Sequence, residues 1–316
     1  MLANLTGDQS IEKDGGYIDN DMGDGLMALF GLGYDSGDSP VLRVLQGAFS
    51  FEEGVFSGGC RDCEVRFGPC GKLRRLLAGD FVGERDRVAR IRAEIRVCFE
   101  VGEHPGEDTV SVIRQQDGEA IFVATDVADE AQVEALVAAA VDKFGRLDGA
   151  FNNAGLAQTN VLLHDLTATQ WRRIQSVNYD GVFFCMKHEI RAMLQTGGAI
   201  VNTSSALGRV AVPRSADYCG SKGGVLGLTK GAAVDYGHQH IRVNAILPGA
   251  VDTPMVQALT SDPQFAGLLE KLRTSHPVGR IGLPEEIAAA AVWLLSDRSS
   301  FVTGAELAVD GGFLAT

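Results

Sequence analysis

Beyond residue 105 apolar residues fall into two rhythms. Short, nearly unbroken apolar runs recur at 120–124, 147–151, 198–202, 241–246 and 306–309. Such runs read as strands buried on both faces. Longer stretches between them carry apolar residues three and four apart. The stretch 130–144 places Val133, Leu136, Val137, Ala140, Val141 and Phe144 on one helical face. A second helix, 167–194, opens with Thr167 and Gln170 three apart, a capping box, and carries Trp171, Ile174, Val177, Phe184 and Met193. A third is expected over 216–236. A fourth starts at Pro284, with Glu285 and Glu286 at the positive end of its dipole, and runs to Leu295. Pro248 and Gly249 end the strand that begins at Ile241. Strand and helix alternate, which predicts an α/β fold with a doubly wound parallel sheet, Rossmann-like in type. Such sheets hold ligands at the carboxyl ends of their strands.

The first 105 residues show neither rhythm. They hold 17 of the 39 glycines, and residues 1–56 carry ten acids against two bases. Residues 1–71 therefore read as an irregular, Gly-rich, acidic extension of low order. The α/β domain is expected over 72–316, with 72–105 the part whose assignment stays open.

Composition narrows the function classes. The chain has 316 residues, 45% of them hydrophobic and 22% charged, which is globular composition. Its net charge of −13 repels phosphate backbones, so nucleic acid is not an expected partner. No apolar run reaches the roughly 18 residues of a membrane span, and no basic stretch leads an apolar one at the N-terminus. Six scattered cysteines fit a reducing compartment, and a cytoplasmic location is expected.

Four segments carry candidate chemistry. Tyr218 and Lys222 are four apart in a predicted helix and share one face. An ammonium beside a phenol favours the phenolate, which makes the tyrosine a usable acid or base. The same spacing also occurs in a surface pair. Ser205 follows the strand that ends at Asn202, where a hydroxyl can donate to a substrate oxygen. Taken alone, a serine within Thr203, Ser204 and Ser205 reads more plainly as turn chemistry. Asn152, Asn153, Ala154 and Gly155 follow the strand at 147–151, and small residues there let backbone approach a ligand. Asn178 lies mid-helix, where asparagine is a poor helix former; a solvent-facing position is the plainer account.

Taken together, in this order and spacing, these segments resemble the short-chain dehydrogenase/reductase family. The resemblance covers about residues 106–316. It rests on Asn152 to Gly155, Asn178, Thr203 to Ser205, Tyr218 to Lys222, Arg242 to Gly249, Thr303 and Gly304, and Val309 to Gly312. It implies hydride transfer between a nicotinamide cofactor, NAD or NADP, and a secondary alcohol or ketone. It implies Tyr218 as general acid/base, Lys222 as its electrostatic partner and ribose ligand, and Ser205 as polariser of the carbonyl. Asn178 would anchor a proton-relaying water. Asp126 and Val127 would border the adenine. Asn153, Ala154 and Gly155 would line the cofactor, and Pro248, Gly249, Val251 and Thr253 would position the nicotinamide. The segment 250–279 would be the substrate loop. The apolar Ala206, Leu207, Val212, Met255 and Val256 would line the pocket. A homodimer or homotetramer built on the long helices is implied.

The family pattern fails in one place. A strand, a Thr-Gly-x3-Gly-x-Gly loop and a helix should precede these segments. Counting back places the loop at Gly79 and Gly83, with Ala78 and Arg85 standing where Thr and the last Gly are expected. Arg96 to Glu100 would then be the second strand, with Glu100 placed for the ribose hydroxyls, which favours NAD. Alternatively, residues 1–105 do not derive from a family N-terminus, as after a frameshift or replacement. In that case a non-catalytic scaffold or a defective product competes with the enzyme. Cys60, Cys63 and Cys70 lack a well-spaced fourth ligand, so no metal site is expected.

Overall fold

The computed structural model describes residues 27–31, 96–100, 105–115, 118–261 and 267–316. Seven strands form one sheet in the order β3-β2-β1-β4-β5-β6-β7. They are β1 (Met27–Gly31), β2 (Arg96–Glu100), β3 (Glu119–Phe122), β4 (Gly149–Asn152), β5 (Gly198–Thr203), β6 (Ile241–Pro248) and β7 (Glu306–Val309). The helices are α1 (Pro105–Gln115), α2 (Glu130–Phe144), α3 (Ala168–Gln175), α4 (Val182–Met193), α5 (Ala216–Tyr236), α6 (Pro254–Ser261), α7 (Leu268–Ser275) and α8 (Pro284–Leu295).

The fold is Rossmann-like. Strands β4 to β7 pair in parallel, as do β2 and β3. The exception is β1, which runs antiparallel to both of its neighbours, β2 and β4. It comes from the stretch read as extension. Met27 lies opposite Asn152 at the carboxyl end of β4, so β1 starts at the ligand edge and ends at the opposite one. The strand and glycine loop expected around Gly79 and Gly83 lie outside the described residues, as do Cys60, Cys63 and Cys70.

Side-chain alternation splits the core into two layers. Ala199 and Val201 of β5 point to a layer with Val110 and Ile113 of α1 and Ile287, Ala288 and Ala291 of α8. Ile200 points the other way, to Val133 and Leu136 of α2, Met186 and Met193 of α4 and Val225 of α5. Period-two alternation on a sheet covered on both faces produces this pair of layers. Truncating a fully buried member such as Leu136 or Met193 to alanine costs about 2–5 kcal/mol.

Local signals set the helix ends. Asp129 caps α2 by accepting from the N–H groups of Ala131 and Gln132, and Gly145, at φ 88°, ends it. The capping box at Thr167 and Gln170 closes in both directions. The helix expected over 167–194 is interrupted, however. A π-helical turn, Ser176–Gly181, separates α3 from α4. Helix α1 has no counterpart among the expected elements.

Candidate active site

The residues singled out at the strand ends converge on one place. Ser205 follows β5 in an extended conformation and opens a short 3-10 turn, where its Oγ accepts from Leu207 N at 3.1 Å. Beside it, Ser204 Oγ donates to the carbonyl of Lys222 at 2.8 Å, which straps the loop to α5. The turn can approach this closely only because residue 208 is glycine. A Cβ there would stand 2.8 Å from Ser204 Oγ and 3.1 Å from the Lys222 carbonyl oxygen.

Tyr218 and Lys222 share a face of α5, as their spacing predicts. The Lys222 ammonium lies 5.8 Å from the centre of the Tyr218 ring. The Ser205 hydroxyl lies near enough to the Tyr218 hydroxyl to favour its phenolate form. Burial pushes the Tyr218 hydroxyl above its ordinary pKa; the nearby Ser205 hydroxyl acts in the opposite direction, and the neighbouring Cys219 adds to the rise. Burial also pulls Lys222 down to about 8, so it remains largely charged at neutral pH. The expected lowering of Tyr218 is therefore outweighed here by desolvation.

Asn178 sits inside the π turn and is fully buried rather than solvent-facing. Its Oδ1 accepts from Leu156 N at 2.7 Å, and its Nδ2 donates to Leu156 O at 2.9 Å and Ser221 Oγ at 3.3 Å. One side chain thus clamps the loop after β4 to α5. A π turn in a helix often marks a functional position, because the extra residue re-aims a side chain. Gly181, at its end, packs against Val127, where an added Cβ would lie 3.0 Å from Val127 Cγ2.

Whether these residues suit a nicotinamide nucleotide can be judged from the space around Lys222. Its ammonium is buried, and among the described residues its one hydrogen-bond acceptor is the Thr203 carbonyl, at 2.9 Å. Gly155 faces it, and a Cβ there would come within 3.3 Å of Lys222 Nζ and 3.4 Å of Asn178 Oδ1. A cation with donors to spare, in a cradle kept open by glycine, fits the ribose hydroxyls of the nicotinamide half.

The remaining cofactor candidates lie along the same sheet edge. Asn153 Oδ1 accepts from Thr203 Oγ1 at 2.8 Å, and Ala154 and Gly155 continue from it. Asp126 is exposed and Val127 buried, just beyond β3. Pro248 ends β6, Gly249 N donates to Val309 O at 3.2 Å, and Val251 bridges to Gly282. Thr253 precedes α6. Glu100 is the last residue of β2, which occupies the place expected of the second strand. Among the described residues no group of three or more His, Cys, Asp or Glu could hold a metal.

Three buried residues escaped the sequence reading. Asp217, next to Tyr218, accepts from Tyr218 N at 2.8 Å and from Thr159 N and Oγ1 at 3.0 and 2.7 Å. Glu189 accepts from Asn152 Nδ2 at 3.1 Å, and burial pushes its carboxyl up to about 8. His276 holds the backbone beyond β6. Each partner of Asp217 and Glu189 outside their own helix is tens of residues away, and no local motif announces them.

Known proteins resemble the chain over about two thirds of its length or more. A family model described as enoyl-(acyl carrier protein) reductase matches residues 89–314. The chain is 48% identical over 219 residues to a 2,5-dichloro-2,5-cyclohexadiene-1,4-diol dehydrogenase of Sphingobium indicum, covering 68% of this chain and 85% of that protein. It is 42% identical over 243 residues to a cis-4-hydroxycyclohexanecarboxylate dehydrogenase of Sinomonas cyclohexanicum, covering 76% of this chain and 96% of the relative. Among solved structures, carveol dehydrogenase from Mycobacterium avium in complex with NAD matches with a TM-score of 0.63 and 30% identity, over 66% of this chain and 80% of that one.

Proposed function

The chain belongs to the short-chain dehydrogenase/reductase family, and on that premise we propose how its residues divide the work. It is an NAD(P)-dependent oxidoreductase acting between a secondary alcohol and a ketone. The nicotinamide, when bound, accepts or donates the hydride. Tyr218 moves the hydroxyl proton. Ser205 holds the substrate oxygen beside the Tyr218 hydroxyl and favours the phenolate there. Lys222 supplies positive charge beside the phenol and hydrogen bonds to the ribose. Asn178 fixes the Gly155–Leu156 backbone under the ammonium and anchors the water that carries protons to Lys222. Asn153, Ala154, Gly155, Pro248, Gly249, Val251 and Thr253 line the nicotinamide side, and Asp126 and Val127 border the adenine. The observation that carries this assignment is the meeting of Ser205, Tyr218 and Lys222, residues of one strand end and one helix face, beside the cradle at Gly155.

The substrate is an alicyclic secondary alcohol. Two relatives are named for ring alcohols, and the segment between Ser205 and Tyr218 supplies the apolar Ala206, Leu207 and Val212, of which Ala206 is buried and Val212 exposed. NAD is the preferred cofactor, supported by Glu100 at the carboxyl end of β2 and by the NAD complex of carveol dehydrogenase. The chain works as a homo-oligomer, for which Trp171 of α3, Phe183 of α4 and Val234 of α5 offer exposed apolar surface. No helix among the described residues is long and apolar enough to cross a membrane. With Cys185 and Cys219 both free thiols, a cytoplasmic setting suits the chain. The test is turnover of cyclohexanols with NAD and with NADP. The reading expects oxidation with a clear NAD preference, and turnover of linear but not cyclic alcohols would contradict the substrate class.

A further inference from the structure

We propose that His276 is a positioning residue that locks the turn beyond β6 to the far end of the substrate loop. The inference rests on the reading that Pro248 to Val251 faces the nicotinamide. His276 directly follows α7, the last helix of that loop, and is buried. Its ring bridges two backbones. Nε2 accepts from Ala250 N–H at 3.0 Å, and Nδ1 lies 2.5 Å from the carbonyl oxygen of Leu272. The partners settle the tautomer. A backbone N–H can only donate and a carbonyl can only accept, so the ring is neutral with its proton on Nδ1. The ring also stacks on Phe313, with centroids 5.4 Å apart.

The fit depends on Gly249. A Cβ at that position would lie 2.5 Å from His276 Nε2 and 3.0 Å from the Asp310 Cα. Glycine therefore lets the imidazole press against the turn that the family resemblance assigns to the cofactor. Three contacts hold this turn. Gly249 N donates to Val309 O, and Ala250 O accepts from Gly282 N at 2.8 Å; both join it to parts of the frame. The third, from His276, is made by the residue that follows the last helix of the substrate loop. Any shift of α7 therefore reaches Ala250 through one rigid ring. Substrate and cofactor affinities are coupled through that link, and the coupling is reciprocal.

Two variants separate the hydrogen bond from the packing. His276→Phe keeps a ring against Phe313 but strands the Ala250 N–H, whereas His276→Gln offers an acceptor again. For His276→Phe we expect weaker NADH binding and a higher KM for the alcohol, each by about tenfold, the cost of one unpaired buried donor. His276→Gln should recover most of both. Unchanged binding and KM in a folded His276→Phe protein overturns the inference, as does failure of the glutamine to rescue. If His276→Phe does not fold, nitrogen NMR of the His276 ring in the unmodified protein decides. A proton on Nδ1 supports the bridge, and a proton on Nε2 overturns it. Tyr218→Phe is measured alongside. If it keeps turnover, the active-site reading fails and this inference with it. If it loses turnover while His276→Phe behaves as wild type, the His276 inference alone fails.

Discussion

On one side of β4, strands β5, β6 and β7 run parallel to it and deliver Ser205, Gly249 and Asp310 to the same sheet edge. On the other side β1 runs against it, between β4 and β2, which is oriented like β4. On both flanks neighbouring strands pair their backbones. Antiparallel ladders are if anything slightly stronger per residue than parallel ones. Hydrogen bonding within the sheet therefore does not require β1 to point either way. A ligand does, because the chain that follows a parallel central strand emerges at the ligand edge, and the chain that follows Gly31 starts from the opposite one. The catalytic flank is held by side-chain bonds such as Ser204 to Lys222 and Asn178 to Leu156, and β1 is placed by backbone pairing on both of its edges.

Substitutions on either flank test the difference between them. Tyr218→Phe tests the catalytic flank with the largest effect. Turnover should fall about 10³-fold, the scale of a lost general acid/base, while the melting temperature stays close to that of the unmodified protein. Turnover within tenfold of the parent would remove Tyr218 from its role. Leu29→Pro tests the other flank. Leu29 pairs with Cys98 on one side and Ala150 on the other, and proline cannot donate to a ladder. A loss of about 2–3 kcal/mol in urea unfolding is expected if β1 holds the central place. No change would mean that the sheet closes without it.

The pH dependence of alcohol oxidation bears on the charge at Lys222. The rate should climb with pH as Tyr218 becomes easier to deprotonate, then fall above about 8 as Lys222 loses its proton. The two limbs belong to the coupled pair rather than to either residue alone. A profile that keeps rising to pH 10 would mean the ammonium stays charged far above that value.

The smallest effect concerns stability. Glu189 has a folded pKa of about 8, above its ordinary value, because it is buried. The folded protein therefore holds more protons than the unfolded one between about 4.5 and 8, and this group's contribution is lost as pH rises through that window. Glu189→Gln removes the loss. It should raise the melting temperature by roughly 3–5 °C at pH 8.5 and leave it unchanged at pH 4. Equal shifts at both pH values would show that packing, not ionisation, is responsible.

Much of the catalytic flank was legible in the residues. Tyr218 and Lys222 declare a shared face by their spacing, Ser205 declares itself by following a strand, and Thr167, Gln170 and Pro284 mark where helices begin. What was not legible depends on partners distant in sequence. Asp217 meets Thr159 from 58 positions away, Glu189 meets Asn152 from 37, and His276 meets Ala250 from 26. The π turn at Asn178 follows from the demands of Leu156 and Ser221, not from any local pattern. Strand β1 itself was missed: Met27–Gly31 lies in the Gly-rich stretch read as irregular extension, and so short an apolar run carries neither a strand rhythm nor an orientation without its neighbours. Helix α1 opens on Pro105 and Gly106, which in sequence read as a break.

The central claim is that these elements make a working nicotinamide site. Its most direct test is titration of the purified protein, shown to be folded, with NADH and NADPH, followed by nicotinamide fluorescence and thermal shift. Saturable binding with NADH the tighter ligand is the predicted result. A flat titration with both nucleotides would contradict the account and leave Ser205, Tyr218 and Lys222 as the relic of a site on a scaffold that no longer uses it.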